Sequence, residues 1–145
     1  MRYFAYGSNM SRARLEGRLG RVVDLGRARC AARRHRFSKL GLDGTGKGNI
    51  ELAEAELVWG VVYELDAAQL ERLTGLELGY RRVELEVELE MIGPVRTASF
   101  EALLPTQDLA PTREYLEHYV VGMREHGIPD AYLAAVLGEF HRLVG

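Results

Sequence analysis

From Tyr80 onward, apolar and charged positions alternate: Val83, Leu85, Val87, Leu89 and Met91 interleave with Arg82, Glu84, Glu86, Glu88 and Glu90. A period of two places each set on its own face, which predicts a half-exposed antiparallel strand. Gly93-Pro94 marks a turn, and Arg96 to Leu104 predicts the returning strand of a hairpin. Upstream, the unbroken apolar run at residues 2–6 predicts a buried strand, and residues 11–20 a short helix with Ser11 as N-cap. Residues 21–40 predict one or two strands carrying Val22, Val23, Leu25, Ala28, Cys30 and Phe37. The glycine-dense stretch Gly41–Asn49 predicts a loop, and Leu57–Leu65 a strongly apolar strand. Asp66 is placed to cap a helix with Leu70 and Leu73 on its inner face, closing near Gly75. Two helices finish the chain. Thr112 caps the first, with Tyr115, Leu116, Tyr119, Val120 and Met123 on one face until Gly127; Asp130 caps the second, with Leu133, Val136, Leu137, Phe140 and Leu143 inward.

The mixture of hairpin and strand-helix-strand segments makes the fold class α+β. At 145 residues and 47% hydrophobic content, residues 1–145 are expected to form a single domain. Cys30 is the only cysteine, so no disulfide framework or cysteine-rich metal site is available, and a small buried apolar role in a reducing cytoplasm is the expectation. No apolar run approaches membrane-spanning length, and the first residues do not read as a secretory signal, so no membrane partner is expected. Charge is uneven: residues 1–50 hold 12 Lys and Arg against 3 Asp and Glu, and residues 51–145 hold 7 against 18. The basic stretch Arg27–Lys39 carries only Phe37 as an aromatic, too little interleaving for a nucleic-acid surface, and no nucleic-acid partner is expected.

Several stretches invite chemical readings. Tyr6-Gly7-Ser8-Asn9 joins an apolar strand to a helix, an arrangement in which unpartnered amides can hold an anion, with Gly7 permitting a positive φ and a close ligand approach. Gly, Ser and Asn are equally ordinary turn residues. Gly41-x4-Gly46-Lys47 nearly spells a phosphate-binding loop, but Gly48 stands where Ser or Thr would hold magnesium, and no helix former follows. Glu84, Glu86, Glu88 and Glu90 read as a solvated face rather than a cation site. His35, His118, His126 and His141 show no metal-ligand spacing, and no metal is expected. Glu77 is the unusual carboxylate. It lies among Leu73, Leu76, Leu78 and Tyr80, where it either faces solvent at a helix end or is held in apolar surroundings that raise its pKa into a range suited to taking and giving a proton.

Together, Tyr3-Phe-Ala-Tyr-Gly-Ser-Asn-Met10, Gly48-Asn-Ile50 with Val58-Trp-Gly-Val-Val-Tyr63, Leu73-x3-Glu77 with Gly79-Tyr80-x-Arg82, and Tyr115 through Gly127-Ile-Pro129 resemble the γ-glutamylcyclotransferase family, which includes the γ-glutamylamine cyclotransferases and the avirulence-induced proteins of plants. The resemblance covers most of the chain in the same order. Thr74 and Leu78 depart from the family pattern of Asp after the leucine and Gly after the glutamate.

The resemblance implies a mixed β-barrel flanked by helices, with the site at its mouth. It implies an intramolecular acyl transfer that converts a γ-glutamyl amino acid or amine to 5-oxoproline plus the free amino acid or amine, with Glu77 as general acid/base. In it, the amides of Tyr6, Gly7, Ser8 and Asn9 anchor either the α-carboxylate or the developing oxyanion, and Tyr115 lines the pocket. No cofactor is required, the partner is a small γ-glutamyl substrate, and a homodimer is compatible. Two other outcomes stay open: an enzyme selective for γ-glutamylamines, and a small-ligand binder that keeps the pocket without the chemistry, for which Thr74 and Leu78 speak.

Overall fold

Strand β1 (Arg2–Ala5) runs into a 3-10 turn (Ser8–Met10) and then helix α1 (Arg12–Leu19) in the computed structural model, which describes residues 1–145. Two long strands follow, β2 (Val23–Leu40) and β3 (Gly46–Glu64), then helix α2 (Ala67–Leu76), the hairpin β4 (Tyr80–Leu89) and β5 (Gly93–Ala102), and helices α3 (Arg113–Glu125) and α4 (Asp130–Val144). The strands close into a barrel in the order β1-β3-β2-β4-β5. Every pairing is antiparallel except the closing one, where Tyr3 of β1 lies beside Ala98 of β5 in parallel register. This is a closed five-stranded mixed barrel with four helices. Closure removes the sheet edges that would otherwise invite other strands.

Alternation along the strands divides the core. One buried cluster takes residues from all five strands, among them Phe4, Cys30, Val58, Leu85, Val87 and Val95, and fills the barrel. The other joins the opposite faces of β1 and β3, through Tyr3, Ala5, Val61 and Tyr63, to the helices through Leu15, Leu73, Leu116, Tyr119, Met123 and Phe140. Each such large apolar side chain contributes on the order of 1.5–3 kcal/mol on burial. The helices begin where local chemistry satisfies their first amides. Ser11 Oγ accepts from Arg14 N at 3.3 Å, Thr112 Oγ1 from Tyr115 N at 3.0 Å, and Asp66 and Gln69 form a reciprocal capping box at 2.7 and 3.0 Å.

Three local expectations change, while the one or two strands expected over residues 21–40 are a single strand. Residues 23–40 form it, bent by register shifts at Asp24/Gly26, Ala31/Arg33 and Arg36/Lys39. Such bulges let a single strand follow the barrel's curvature. The Gly41–Asn49 loop is shorter than expected: Gly46 already pairs with Leu40 as the first residue of β3. Gly46 and Gly48 answer crowding rather than flexibility, because a Cβ on Gly46 would overlap the Leu109 backbone, and one on Gly48 the Tyr119 hydroxyl. The hairpin turns at residues 90–92, so Gly93 and Pro94 open β5, and Met91 leaves the alternation with a φ of 71° and 96% exposure. Asp130 is the first residue of α4, not its cap, a position occupied by Pro129 with no side-chain bond. Its charge still suits the positive end of the helix.

Four arginines of the basic stretch are paired within the fold. Arg27 pairs with Glu90, Arg33 with Glu101, Arg34 with Glu51 and Arg36 with Asp108. Glu84, Glu86, Glu88 and Glu90 face solvent. No helix is long and apolar enough to cross a membrane.

Candidate active site

The chain change at Ala5 sets up the site. After β1 the backbone turns at Gly7, and the first bond of the 3-10 turn runs from Met10 N to Gly7 O at 3.0 Å. The amides of Ser8 and Asn9 precede that bond and have no partner within the turn. Gly7 has a φ of −122°, so the expected positive φ is not its reason for being glycine. Close packing is: a Cβ there would stand 3.1 Å from the Tyr119 hydroxyl.

Beside this turn lies a cavity of about 330 Å³, whose walls include Tyr6, Gly7, Ser8, Asn9, Glu77 and Tyr115. The residues singled out from the sequence thus line one cavity, although they come from three separate segments. Tyr6 directs its hydroxyl to Phe100 O at 2.6 Å. Ser8 Oγ accepts from Arg14 Nε at 3.1 Å.

Glu77 is the C-cap of α2, where the helix has run out of turns and the side chain swings toward β1. Its Oε1 accepts from Asn9 Nδ2 at 3.2 Å and from Arg18 Nη1 at 3.3 Å. The same Asn9 amide donates to the Tyr3 hydroxyl at 3.1 Å, and its Oδ1 accepts from Arg18 at 3.1 Å. The Glu77 side chain is only 16% exposed. Burial raises its pKa above the ordinary glutamate value, against the pull of Arg18, Asn9 and Arg14. The expected leucine cage is not the cause. Leu76 and Leu78 are substantially exposed, and the groups enclosing the carboxyl are Tyr3, Asn9 and Arg18.

The opposite wall is built on the peptide at Gly48. Its N–H donates to the Tyr115 hydroxyl at 3.0 Å, while its carbonyl accepts from the Tyr80 hydroxyl at 2.6 Å. Beneath it, the Tyr119 hydroxyl lies 2.8 Å from His35 Nε2, and His35 Nδ1 lies 2.9 Å from Glu139 Oε2. Burial raises the pKa of Tyr3, Tyr80 and Tyr115, so these hydroxyls stay protonated and act as hydrogen-bonding groups.

Sequence reasoning missed Arg14 and Arg18, spaced four apart on α1 so that both face the cavity, and the side-chain role of Asn9. It also missed Tyr3, Lys39 and Tyr80, the second of the two tyrosines that grip Gly48. Of the two departures from the family pattern, Thr74 bonds back to Leu70 O within its own helix at 2.8 Å, whereas Leu78 borders the cavity. No three His, Cys, Asp or Glu side chains are grouped to hold a metal ion.

A closed five-stranded mixed barrel with four helices defines the structural class. Residues 57–136 match the AIG2-like family, and the chain belongs to that family. Among solved structures, it is similar to a γ-glutamyl cyclotransferase, with 24% identity over 93% of this chain and 85% of that one and a TM-score of 0.85. The human protein loc79017 is similar at 24% identity, over 92% of this chain and 84% of that one, with a TM-score of 0.84. YkqA from Bacillus subtilis matches 99% of this chain at 22% identity and a TM-score of 0.85, but this chain spans only 55% of its length. No curated protein sequence matches significantly.

Proposed function

We propose that this protein cyclises a γ-glutamyl compound to 5-oxoproline, releasing the amino acid or amine attached to the γ-carbonyl. The observation that carries this reading is the Glu77 carboxyl: largely buried, raised in pKa, and hydrogen-bonded to Asn9 of the turn after β1. The fold shared with a solved γ-glutamyl cyclotransferase supports it.

The reaction needs a proton carrier more than a nucleophile, because the substrate brings its own. Its α-ammonium must lose a proton before the nitrogen can attack the γ-carbonyl. A second proton leaves that nitrogen as it becomes the lactam N–H. The bond from the γ-carbon to the leaving nitrogen breaks, and the leaving nitrogen gains two protons in becoming an ammonium. A carboxyl between the two nitrogens carries these protons and ends the cycle ionised, as it began. Burial strengthens Glu77 as a base, while Arg18 keeps it ionised often enough to start.

Ring closure is intramolecular, so the rest of the pocket has to hold the chain folded and exclude water. Arg14 and the amides of Ser8 and Asn9 form a wall suited to the α-carboxylate. Tyr115 and Tyr80, held by the Gly48 peptide, shape the opposite side.

The test is to incubate the purified protein with γ-glutamyl dipeptides and γ-glutamylamines and measure 5-oxoproline by mass spectrometry, with Glu77→Gln alongside. Product from wild type and a loss of at least about 100-fold in the variant is the expected result. No product from any compound would leave a ligand-binding protein as the surviving reading.

A further inference from the structure

The cavity carries more positive than negative charge, and the surplus is localised. Its two carboxylates are occupied: Glu77 by Arg18 at 3.3 Å, and Asp43 by Lys47 at 3.3 Å. The other two cations lining the cavity, Arg14 and Lys39, make no ion pair. Both are partly withdrawn from water, and burial lowers the pKa of each. A cation held this way with no counter-ion is unfavourable, and an incoming anion relieves it.

The two surplus cations occupy different walls. Arg14 is fixed on α1 with its Nε on Ser8 Oγ. Lys39 lies near the end of β2, with its ammonium 5.1 Å from the centre of the Tyr80 ring and packed against Gly79. Glu77 is the charge that both feel, with Arg18 acting on Arg14 and Lys47 acting on Lys39. Arg14, Lys39 and Glu77 all line the same cavity.

We propose that Lys39 is a second anion subsite: Arg14 takes the α-carboxylate of the γ-glutamyl group, and Lys39 takes a further carboxylate carried by the leaving group. Lys39 thereby sets this chain's preference for leaving groups that carry a carboxylate over neutral alkylamines. Which ligand bridges the two cations rests on the cyclotransferase reading; the surplus charge itself does not. Lys47 does not serve equally, because Asp43 already holds it.

The test compares γ-glutamylglycine with γ-glutamylglycinamide, which differ by one carboxylate. Wild type is expected to favour γ-glutamylglycine in kcat/KM by about tenfold or more, the size of one charge-assisted contact. Lys39→Met should bring that ratio close to one, and Lys39→Arg should restore most of it. A wild-type ratio near one, or an unchanged ratio in Lys39→Met, overturns the proposal. The wild-type ratio decides alone if the variant does not fold. If neither compound yields 5-oxoproline, the cyclotransferase reading fails, and calorimetric binding of the same two compounds judges the subsite separately. Tighter binding of γ-glutamylglycine, lost in Lys39→Met, upholds it; equal or absent binding overturns it.

Discussion

Asn9 Nδ2 donates to Glu77 Oε1 at 3.2 Å, a hydrogen bond between residues 68 apart in the chain that ties the turn after β1 to the end of α2. The contact explains why an asparagine rather than an aspartate stands there. An amide supplies the donor that an ionised carboxyl needs, and its oxygen still receives Arg18 at 3.1 Å. Asn9→Asp, nearly the same shape, replaces the donor with a second negative charge. Like charge raises a carboxyl's pKa. The variant should fold, lose about tenfold or more in kcat/KM, and show an acid limb displaced to higher pH, read from a pH–rate profile. An unmoved limb would separate Asn9 from the titration of Glu77.

The raised pKa of Glu77 has a consequence for stability whose sign follows from linkage. Below the ordinary value of 4.5 the carboxyl is protonated in both the native and unfolded chains, and burial costs nothing. As pH rises through the higher native value, the folded protein must hold a buried charge that the unfolded chain exposes to water, so this contribution is lost. Glu77→Gln avoids the loss. It should melt at a higher temperature than wild type at neutral pH, with the difference closing in acid, in thermal unfolding across a pH series. A wild type more stable than the variant at neutral pH would mean that the Arg18 pair outweighs burial.

The parts of the fold that were legible in the sequence are those decided by neighbours in the chain. Ser11, Asp66 and Thr112 cap their helices because a side-chain oxygen needs only an amide three residues on. The alternation of β4 survives because one face is buried and the other wet. The extension of β3 back to Gly46 was not legible. Glycines signal a loop locally, whereas here they make room for Leu109 and Tyr119 from distant segments. The site divides the same way. Tyr6 to Asn9 and Glu77 stand out by local pattern, but nothing in the spacing of α1 says that Arg18 turns toward a carboxylate 59 residues away.

Gly48 is a position where a single methyl group should damage both the packing and the site. A Cβ there overlaps the Tyr119 hydroxyl, which is anchored to His35 at 2.8 Å and is not at liberty to move aside. Gly48→Ala should cost roughly 1–3 kcal/mol in denaturant unfolding and also weaken activity by shifting the peptide that Tyr80 and Tyr115 hold. Adding Tyr119→Phe removes the obstructing oxygen and should recover part of the loss. A double variant no better than the sum of the two singles would place the strain elsewhere.

The chain from Tyr119 through His35 to Glu139 contains a buried hydrogen bond that can be tested. An ionised Glu139 can only accept, so His35 Nδ1 carries the hydrogen that bridges 2.9 Å to Oε2. On its other side, His35 Nε2 shares a hydrogen bond with the Tyr119 hydroxyl at 2.8 Å. Glu139→Gln retains an oxygen that can receive Nδ1–H and should lie within about 1 kcal/mol of wild type. Glu139→Leu, similar in bulk, leaves that N–H buried without a partner and should cost about 1–3 kcal/mol. The two variants read by urea unfolding distinguish a hydrogen bond from simple packing: equal losses would assign the role of Glu139 to its aliphatic stem, and a loss confined to the leucine variant to its oxygen.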